Sequence, residues 1–283
     1  MLIKIPKREK RTLEQIREHY EIEKELANRL RKASREERRY LYADLYDELY
    51  RKVPHLPQLT RKRDPKLRLL AVSVQMRLLK RFLNPESTFL EIGPGDCSLS
   101  LEVAKHVRKV YAIDVSKEIT KDEIFPQNFE LIISDGCSIP IPESSISIAY
   151  SFQLMEHLHP DDAIDQLQNI YKALTPGGKY ICSTPNRLSG PHDISKYFDK
   201  VSTGFHLKEY TVTELYKLFR KFGFSKISTY IGCKGNYVKF PLFLIILCEI
   251  ILRILPFSLR KGIANTLPFK SLLGMMIVGT KRI

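Results

Sequence analysis

From about residue 70 onward, short apolar runs alternate along the chain with stretches of helical periodicity. This alternation is typical of an α/β fold, in which crossover helices join the strands of a mostly parallel sheet. Strands are predicted at 88–92, 109–113, 130–134, 146–151, 178–184, 226–231 and 275–280, and helices at 98–107, 160–174 and 211–222. The sequence therefore predicts an α/β domain built on a seven-stranded, mostly parallel sheet.

Residues 1–68 are predicted to form a basic helical extension. Thr12 with Gln15 and Ser34 with Glu37 have the spacing of a capping box, which marks the start of a helix. The second helix carries a column of leucines at 41, 45 and 49 beside a column of tyrosines at 42, 46 and 50. This face either packs on the neighbouring domain, which we favour, or stacks nucleic-acid bases. A charged connector is predicted over 60–66.

The net charge of +14 is concentrated at the two ends of the chain. Residues 1–68 carry a net charge of +8, residues 69–230 one of −1, and residues 231–283 one of +7. Such flanks suit a phosphate-bearing partner, either nucleic acid or an anionic membrane surface, although a solvated cationic face is the commoner explanation. Charge alone leaves the partner open.

Five cysteines lie at positions 97, 137, 182, 233 and 248, and no two are closer than fifteen residues. They have neither zinc-ligand spacing nor the pattern of a disulfide framework, so the sequence predicts reduced thiols and no metal site. The N-terminus lacks the apolar core of a signal peptide, and we therefore expect a cytoplasmic protein.

Residues 236–270 form a predicted insert between the last two predicted strands. The fourteen residues between Pro241 and Pro256 are apolar or Cys except Glu249 and Arg253, which have the spacing of a helical ion pair. Spanning a bilayer requires about 20 apolar residues, so this run is too short. It is expected to overhang the ligand edge of the sheet, either as a lid helix or as an interfacial helix at the periphery of an anionic membrane.

A glycine turn follows the first predicted strand in the string FLEIGPGDCS. Such a turn brings backbone N–H groups and a helix N-terminus close to a bound ligand. Asp114 lies nineteen residues after Gly95, where a carboxylate can accept both ribose hydroxyls of a nucleoside. Asp135 ends the third strand, where an adenine edge would lie. Hydride transfer is a weaker alternative, because a nicotinamide fingerprint requires glycine where this chain has Ser98.

These motifs resemble those of the class I S-adenosylmethionine-dependent methyltransferases over roughly residues 86–231 and 271–283. The matching strings are EIGPG, AIDVS, SDG, SFQLMEHLHPDD and LTPGGKYICSTPN. The resemblance implies a Rossmann-like sheet with an antiparallel last strand, S-adenosylmethionine as the cofactor, and a methyltransferase domain over 69–235 and 271–283.

The resemblance also implies a set of cofactor-binding residues. They are Glu91, Gly93 and Gly95 at the methionine part, Asp114 at the ribose, Asp135, Gly136 and Cys137 at the adenine, and Ser151 and Phe152 on the reacting side. The third glycine that many members carry is Cys97 in this chain.

Methyl transfer to a hydroxyl group requires a proton acceptor. His206 is the preferred base and His157 the second candidate, because both follow strand ends that should face the reacting methyl group. SFQL replaces the Asn/Asp-Pro-Pro-aromatic motif of base N-methyltransferases, which favours O- or C-methylation of a small, apolar, aromatic or lipid-like acceptor. The alternatives are an RNA methyltransferase and an inactive adaptor for membrane or RNA. The oligomeric state stays open.

Overall fold

The computed structural model describes residues 9–57, 59, 64–116, 120, 124–233 and 236–283. Most of the predicted charged connector, at 60–63, lies outside this range. The described strands are β1 Thr88–Ile92, β2 Lys109–Asp114, β3 Phe129–Ile133, β4 Ile146–Phe152, β5 Leu174–Thr184, β6 Phe224–Cys233, β7 Asn236–Phe240 and β8 Met275–Lys281. They form one sheet in the order β3-β2-β1-β4-β5-β8-β6-β7.

The central strands of this sheet are parallel, and its last strand is antiparallel. β1 pairs with β2 and β4, β2 pairs with β3, and β4 pairs with β5, all in parallel register. β8 inserts between β5 and β6 and runs antiparallel to both. The α/β prediction with a Rossmann-like sheet and an antiparallel last strand is therefore confirmed.

The described sheet has eight strands, one more than predicted. The additional strand is β7, which forms an antiparallel edge hairpin with β6 and lies in the segment predicted as the start of the insert. It lacks an apolar run, since none of its five residues is buried. A half-exposed edge strand of this kind has little hydrophobic signal in sequence.

Helices cover both faces of the sheet and extend beyond it at both ends of the chain. Their bounds are α1 Leu13–Lys32, α2 Arg35–Lys52, α3 Pro65–Leu79, α4 Ser98–Ala104, α5 Pro160–Ala173, α6 Val212–Lys221, α7 Leu242–Arg253, α8 Phe257–Ala264 and α9 Phe269–Leu272. Short 3₁₀ turns cover Met155–His157 and Ile194–Tyr197. Both capping boxes predicted at the starts of α1 and α2 are present. The sequence analysis missed α3, whose first turn is capped by the Asp64 carboxylate.

The helices of the N-terminal extension share a hydrophobic core with one face of the sheet. Leu26, Leu45 and Leu49 are buried in the same cluster as strand residues such as Leu90 and Tyr180. Across this contact the Arg38 guanidinium donates to both carboxylate oxygens of Asp162 on α5, at 2.6 and 2.8 Å. The leucine and tyrosine columns of α2 thus pack on the sheet domain, which is the interpretation favoured from the sequence.

Candidate active site

A cavity of about 710 Å³ opens at the carboxyl ends of the central strands. Its lining comes from the turn after β1, the end of β2, the segment after β4, and residues of α2 and α3. Pro185, His192 and His206 complete the wall from the loops that follow β5. This edge of an open parallel sheet is where ligands bind in such folds.

The glycine turn after β1 requires left-handed backbone at several positions. Gly93 has a φ of +69°, and a Cβ there would lie 2.8 Å from Leu154 Cδ1. Gly95 has a φ of +57°, and its N–H donates to Asp114 Oδ2 at 3.2 Å. Cys97 also adopts a left-handed φ, +56°, so this residue occupies a conformation that favours glycine at a cost of order 1 kcal/mol.

Asp114 lines the cavity at the end of β2. Its Oδ1 accepts the N–H groups of Val115 at 2.7 Å and Ser116 at 3.4 Å. Burial raises the pKa of Asp114 although these backbone donors favour the ionised form. A carboxylate offers about four acceptor sites, so capacity remains for a ligand hydroxyl.

Glu91 is a buried carboxyl group that lines the same cavity. Ser100 Oγ, at the start of α4, donates a short hydrogen bond to Glu91 Oε2. Burial raises the pKa of Glu91 to about 8. The group is therefore largely protonated at neutral pH and would ionise beside a cation.

The third predicted carboxylate has a different environment. Asp135 Oδ1 accepts the N–H groups of Cys137 at 2.9 Å and Ser138 at 2.6 Å, so the side chain caps its own turn. Burial opposes ionisation of Asp135, but these hydrogen bonds outweigh it and lower the pKa. Of this segment, Gly136 and Ser138 line the cavity, whereas Asp135 and Cys137 do not. An adenine contact through Asp135 or Cys137 stays a prediction.

Of the two residues predicted on the reacting side, Phe152 lies in the cavity wall and Ser151 lies inside the sheet domain. Phe152 is 40% exposed and lines the cavity. Ser151 is fully buried, is absent from the lining, and its Oγ is 2.7 Å from the Tyr180 hydroxyl. Gln153 and Leu154, the next two residues, also line the cavity.

His206 lines the cavity and pairs with a buried carboxylate. Its Nδ1 lies 2.8 Å from Glu209 Oε1. Burial by itself would lower the pKa of His206, but the hydrogen bond to Glu209 and the nearby Glu156 and Asp193 carboxylates raise it above the ordinary value. Because Glu209 accepts the Nδ1 proton, the neutral ring carries its lone pair on Nε2.

His157 lies against His206, and their ring centroids are 4.8 Å apart. Burial lowers the pKa of His157 to about 3, so this ring stays neutral throughout the physiological range. Neither His157 Nδ1 nor Glu156 Oε1 has a hydrogen-bond partner, and burial raises the pKa of Glu156 to about 7. Glu156, His157 and His206 hold potential metal-ligand atoms within 4.8 Å of one another. The structure thus brings together the two predicted histidines and two carboxyl groups that the sequence analysis missed.

The N-terminal extension supplies part of the cavity wall and holds the loop that carries His206. Tyr42, Tyr46 and Tyr50 line the cavity from α2, and Tyr46 stacks on Phe205 with centroids 4.7 Å apart. Arg31 donates to the carbonyls of Thr203 and Gly204, each at 2.8 Å. The tyrosine column was the available sequence signal, but its spacing could not show which part of the sheet domain it would face.

Residues 59–229 match the family model described as a methyltransferase domain. This segment is more than half of the chain. The chain belongs to the methyltransferase-domain family. The cofactor is S-adenosylmethionine, as the resemblance to the class I methyltransferases implied.

Curated relatives agree with this assignment, and solved structures share the fold. A probable S-adenosylmethionine-dependent methyltransferase of Mycolicibacterium smegmatis is 29% identical over 137 residues, 48% of this chain and 51% of the relative. The chain thus spans about half the length of this relative. A SAM-dependent methyltransferase from Archaeoglobus fulgidus has the same fold, with a TM-score of 0.51 at 18% identity over 76% of this chain and 94% of that one. Haemonchus contortus phosphoethanolamine N-methyltransferase 2, solved with S-adenosylhomocysteine, has a TM-score of 0.50 at 17% identity. The match covers 74% of this chain and 53% of that one.

The cavity residues fit this cofactor. A Cβ added to Gly95 would have no other atom within 4 Å, so a ligand can approach the backbone closely there. Asp114 offers free acceptor capacity to a ribose, and Glu91 offers a carboxyl group that can neutralise a cation. The volume of about 710 Å³ leaves room for a second small molecule beside the cofactor.

Proposed function

We propose that this protein transfers the methyl group of S-adenosylmethionine to an oxygen or carbon atom of a small acceptor with an apolar or aromatic body. The observation that carries the proposal is that a single cavity has two chemically different walls. The turn after β1 and Asp114 form a wall of backbone N–H groups and carboxyl groups. Tyr46, Tyr50 and Phe152 contribute rings to the remaining wall, beside both histidines. Apolar walls of this kind favour an acceptor whose body is apolar or aromatic.

The cofactor supplies the activated methyl group, so the protein has to align two molecules and accept a proton. Glu91 can neutralise the positive charge of the methionine part, and Asp114 can bind the ribose hydroxyls. The rings of Tyr46 and Phe152 can exclude water from the acceptor. Each of these groups is held by its own strand end or helix, which keeps the alignment rigid.

His206 is proposed to take the acceptor proton at Nε2. Glu209 holds Nδ1 at 2.8 Å, which fixes the ring orientation and stabilises the imidazolium that forms. His157 is a poorer base, because a ring whose pKa is about 3 does not retain a proton near neutral pH. It is proposed to position His206 through their 4.8 Å ring contact.

Replacing Asp114 tests the cofactor assignment. Asp114→Ala leaves the ribose hydroxyls without their acceptor, and we expect it to weaken S-adenosylmethionine binding by about 1–3 kcal/mol. Titration calorimetry measures this affinity directly. Asp44→Ala, which removes an exposed carboxylate on α2, is the control and should leave affinity unchanged. An unchanged affinity in Asp114→Ala would contradict the ribose assignment, and a wild-type protein that binds no cofactor would contradict an enzyme of this class.

The acceptor is identified by transfer of labelled methyl groups into a cell extract that is then separated into lipid, RNA and soluble pools. We expect label in a small molecule of the lipid or soluble pool, and no label with His206→Asn. Label confined to RNA would overturn the proposed acceptor class while leaving the cofactor assignment in place. Cofactor binding without transfer into any pool would favour an adaptor.

A further inference from the structure

The outer face of α7 and the segment that follows it is apolar and exposed. We call this surface the docking face. Its residues are Phe243, Leu244, Leu247, Ile250, Ile251, Ile254, Leu259 and Leu267, and the least exposed of them is 39% accessible. Isolated exposed apolar side chains are ordinary, but the six at positions 243 to 254 have the spacing of one helix face, and a patch of this kind marks an interaction site.

The polarity of α7 is reversed relative to an ordinary surface helix. Its buried stripe contains the only acidic residue of the helix, Glu249, which is fully buried. Glu249 accepts the backbone N–H groups of Val212 and Thr213 at the start of α6, at 2.6 and 3.0 Å. Arg253 donates to Thr211 Oγ1 at 2.9 Å, so the ion pair predicted between Glu249 and Arg253 is not formed. The one carboxylate of the helix is thus used inside the protein, beside the apolar side chains of Ile245, Cys248 and Leu252, and the outward side of the helix is apolar as well.

The charge around the docking face has one sign. Residues 241–270 contain four basic residues, at 253, 260, 261 and 270, and Glu249 is their only acidic one. Because Glu249 is fully buried, the exposed surface of this segment offers cationic and apolar groups and no carboxylate. An anionic lipid surface matches both properties. A symmetric contact with a second copy would bring like charges together, which disfavours self-association through this face.

The depth of insertion is limited by the length of the helix. α7 has 12 residues, about 18 Å at 1.5 Å per residue, which is about half the thickness of a bilayer with its headgroups. No helix among the described residues is long and apolar enough to cross a membrane. The geometry therefore suits a helix that lies in the plane of the interface.

The docking face is one layer away from the cavity. Contrary to the expectation that the insert overhangs the ligand edge, residues 236–273 contribute nothing to the cavity lining. The inner face of α7 packs instead on Leu188, in the loop that also places Pro185 and His192 in the cavity wall. A membrane bound at the docking face would lie beside the cavity without sealing it.

We infer that the docking face binds the surface of an anionic lipid bilayer. This inference does not depend on the reaction under Proposed function. It predicts that the protein cosediments with vesicles of phosphatidylglycerol and phosphatidylcholine at low salt, binds vesicles of phosphatidylcholine alone at least about a hundredfold more weakly, and is released from the anionic vesicles at high salt.

Two variants separate the apolar and the cationic contributions. Phe243→Ser, Leu247→Ser and Ile251→Ser combined remove three exposed side chains, and we expect at least about a hundredfold weaker vesicle binding. Ile245 and Leu252 are left unchanged because they are buried. Arg260→Gln, Lys261→Gln and Lys270→Gln combined should weaken binding to the anionic vesicles by about a hundredfold, since each charge contributes about 1 kcal/mol at such a surface.

The matched control removes three apolar side chains that are scattered over the surface and at least as exposed on average. Leu69, Ile124 and Val201 are 68%, 93% and 66% exposed, and replacing them with Ser should leave vesicle binding unchanged. All variants should retain the circular dichroism spectrum and the cofactor affinity of the wild type, because none of the substituted residues lines the cavity.

Three outcomes would overturn the inference. The first is wild-type protein that stays in solution with anionic vesicles at low salt. The second is vesicle binding that survives the triple Ser substitution on α7. The third is a wild-type dimer, detected by light scattering, that the same substitution dissociates and that does not bind vesicles; this would assign the face to a second copy.

Discussion

Glu91 is an acid whose protonation should change when the cofactor binds. Burial raises its pKa to about 8, so the cavity holds a largely neutral carboxyl group at pH 7. The ammonium and sulfonium groups of S-adenosylmethionine would favour the ionised form. We expect binding to release a proton and affinity to rise with pH, by up to about tenfold per unit, until it levels near pH 8. Calorimetry in buffers of different ionisation enthalpy counts the protons.

Glu91→Gln is the test of this coupling, because the amide keeps the shape and cannot release a proton. Its cofactor affinity should be weaker and independent of pH between about 6 and 8, the range over which the wild-type affinity is expected to rise. Glu102→Gln, on the same helix as Ser100 and outside the cavity lining, is the control. Proton release of the wild-type size in Glu91→Gln would show that another group titrates.

The two histidines should differ in their effect on the pH profile. A general base acts in its neutral form, and the pKa of His206 is raised, so kcat should increase as the pH rises through a value above the ordinary 6.5. His206→Asn should lower kcat by about 10²–10⁴-fold and remove this limb. His157→Gln should lower kcat but keep a rising limb. If kcat of His206→Asn still rises with pH, another group acts as the base. Glu156 is the first alternative, because burial raises its pKa to about 7.

Among the individual residues of the site, the sequence predicted those that lie at or just after the ends of strands. Asp114 and the glycine turn were found because their spacing from β1 and β2 is local, and His206 was found because histidines are few. Glu156 and Glu209 were missed. Their significance lies in burial and in contact with His206, and neither property has a pattern along the chain.

The attachment of α7 depends on one buried carboxylate. Glu249 accepts from Asn186 Nδ2, from two backbone N–H groups of α6 and from Thr213 Oγ1. It also lies at the N-terminus of α6, where a negative charge is favoured. Glu249→Ala leaves several buried donors unpaired, and we expect the free energy of unfolding to fall by at least about 1–3 kcal/mol.

Urea unfolding measures this loss, and hydrogen exchange along α7 shows whether the helix opens before the rest of the protein. Glu86→Ala, at an exposed position before β1, serves as the control and should change stability by less than about 0.5 kcal/mol. Wild-type stability in Glu249→Ala would mean that water replaces the carboxylate and that α7 is held by its apolar contacts alone.

Elements with a strong hydrophobic pattern were predictable, and those without one were not. The five strands β1 to β5 were predicted within four residues of their bounds because they are apolar runs between turn signals. α3 was missed because its hydrophobic residues, as in LRLLAV, continue around the helix instead of forming a stripe. The reversal of α7 could not be seen in sequence, since both of its sides are largely apolar and only packing decides which side is buried.

A buried ion pair joins the N-terminal helices to the sheet domain. Arg38 and Asp162 have side chains only 4% and 2% accessible, and Tyr42 also donates to Asp162 at 2.7 Å. Arg38→Ala leaves the Asp162 charge buried without its cation, and we expect a loss of about 3–5 kcal/mol in unfolding free energy. Because α2 also forms part of the cavity wall, cofactor affinity should fall in the same variant.

Arg29→Ala provides the comparison in the same part of the molecule. Arg29 pairs with Glu48 at 2.8 Å, but its side chain is 45% accessible, so its loss should cost at most about 1 kcal/mol. Equal effects of the two substitutions on thermal unfolding would show that α2 does not depend on Arg38. A separate extension over residues 1–68 stays a prediction, although its described helices share the core of the sheet domain.

The tyrosines of α2 give the protein a built-in optical reporter. The chain has 14 tyrosines and no tryptophan, so tyrosine emission is not masked by the stronger fluorophore. Three of these rings, at 42, 46 and 50, lie in the cavity wall, and a ligand that packs against them changes the surroundings of a sizeable share of the fluorophores. Occupancy of the cavity should therefore be readable in unlabelled protein from the intensity of its ultraviolet emission, which allows acceptors to be screened before any product is known.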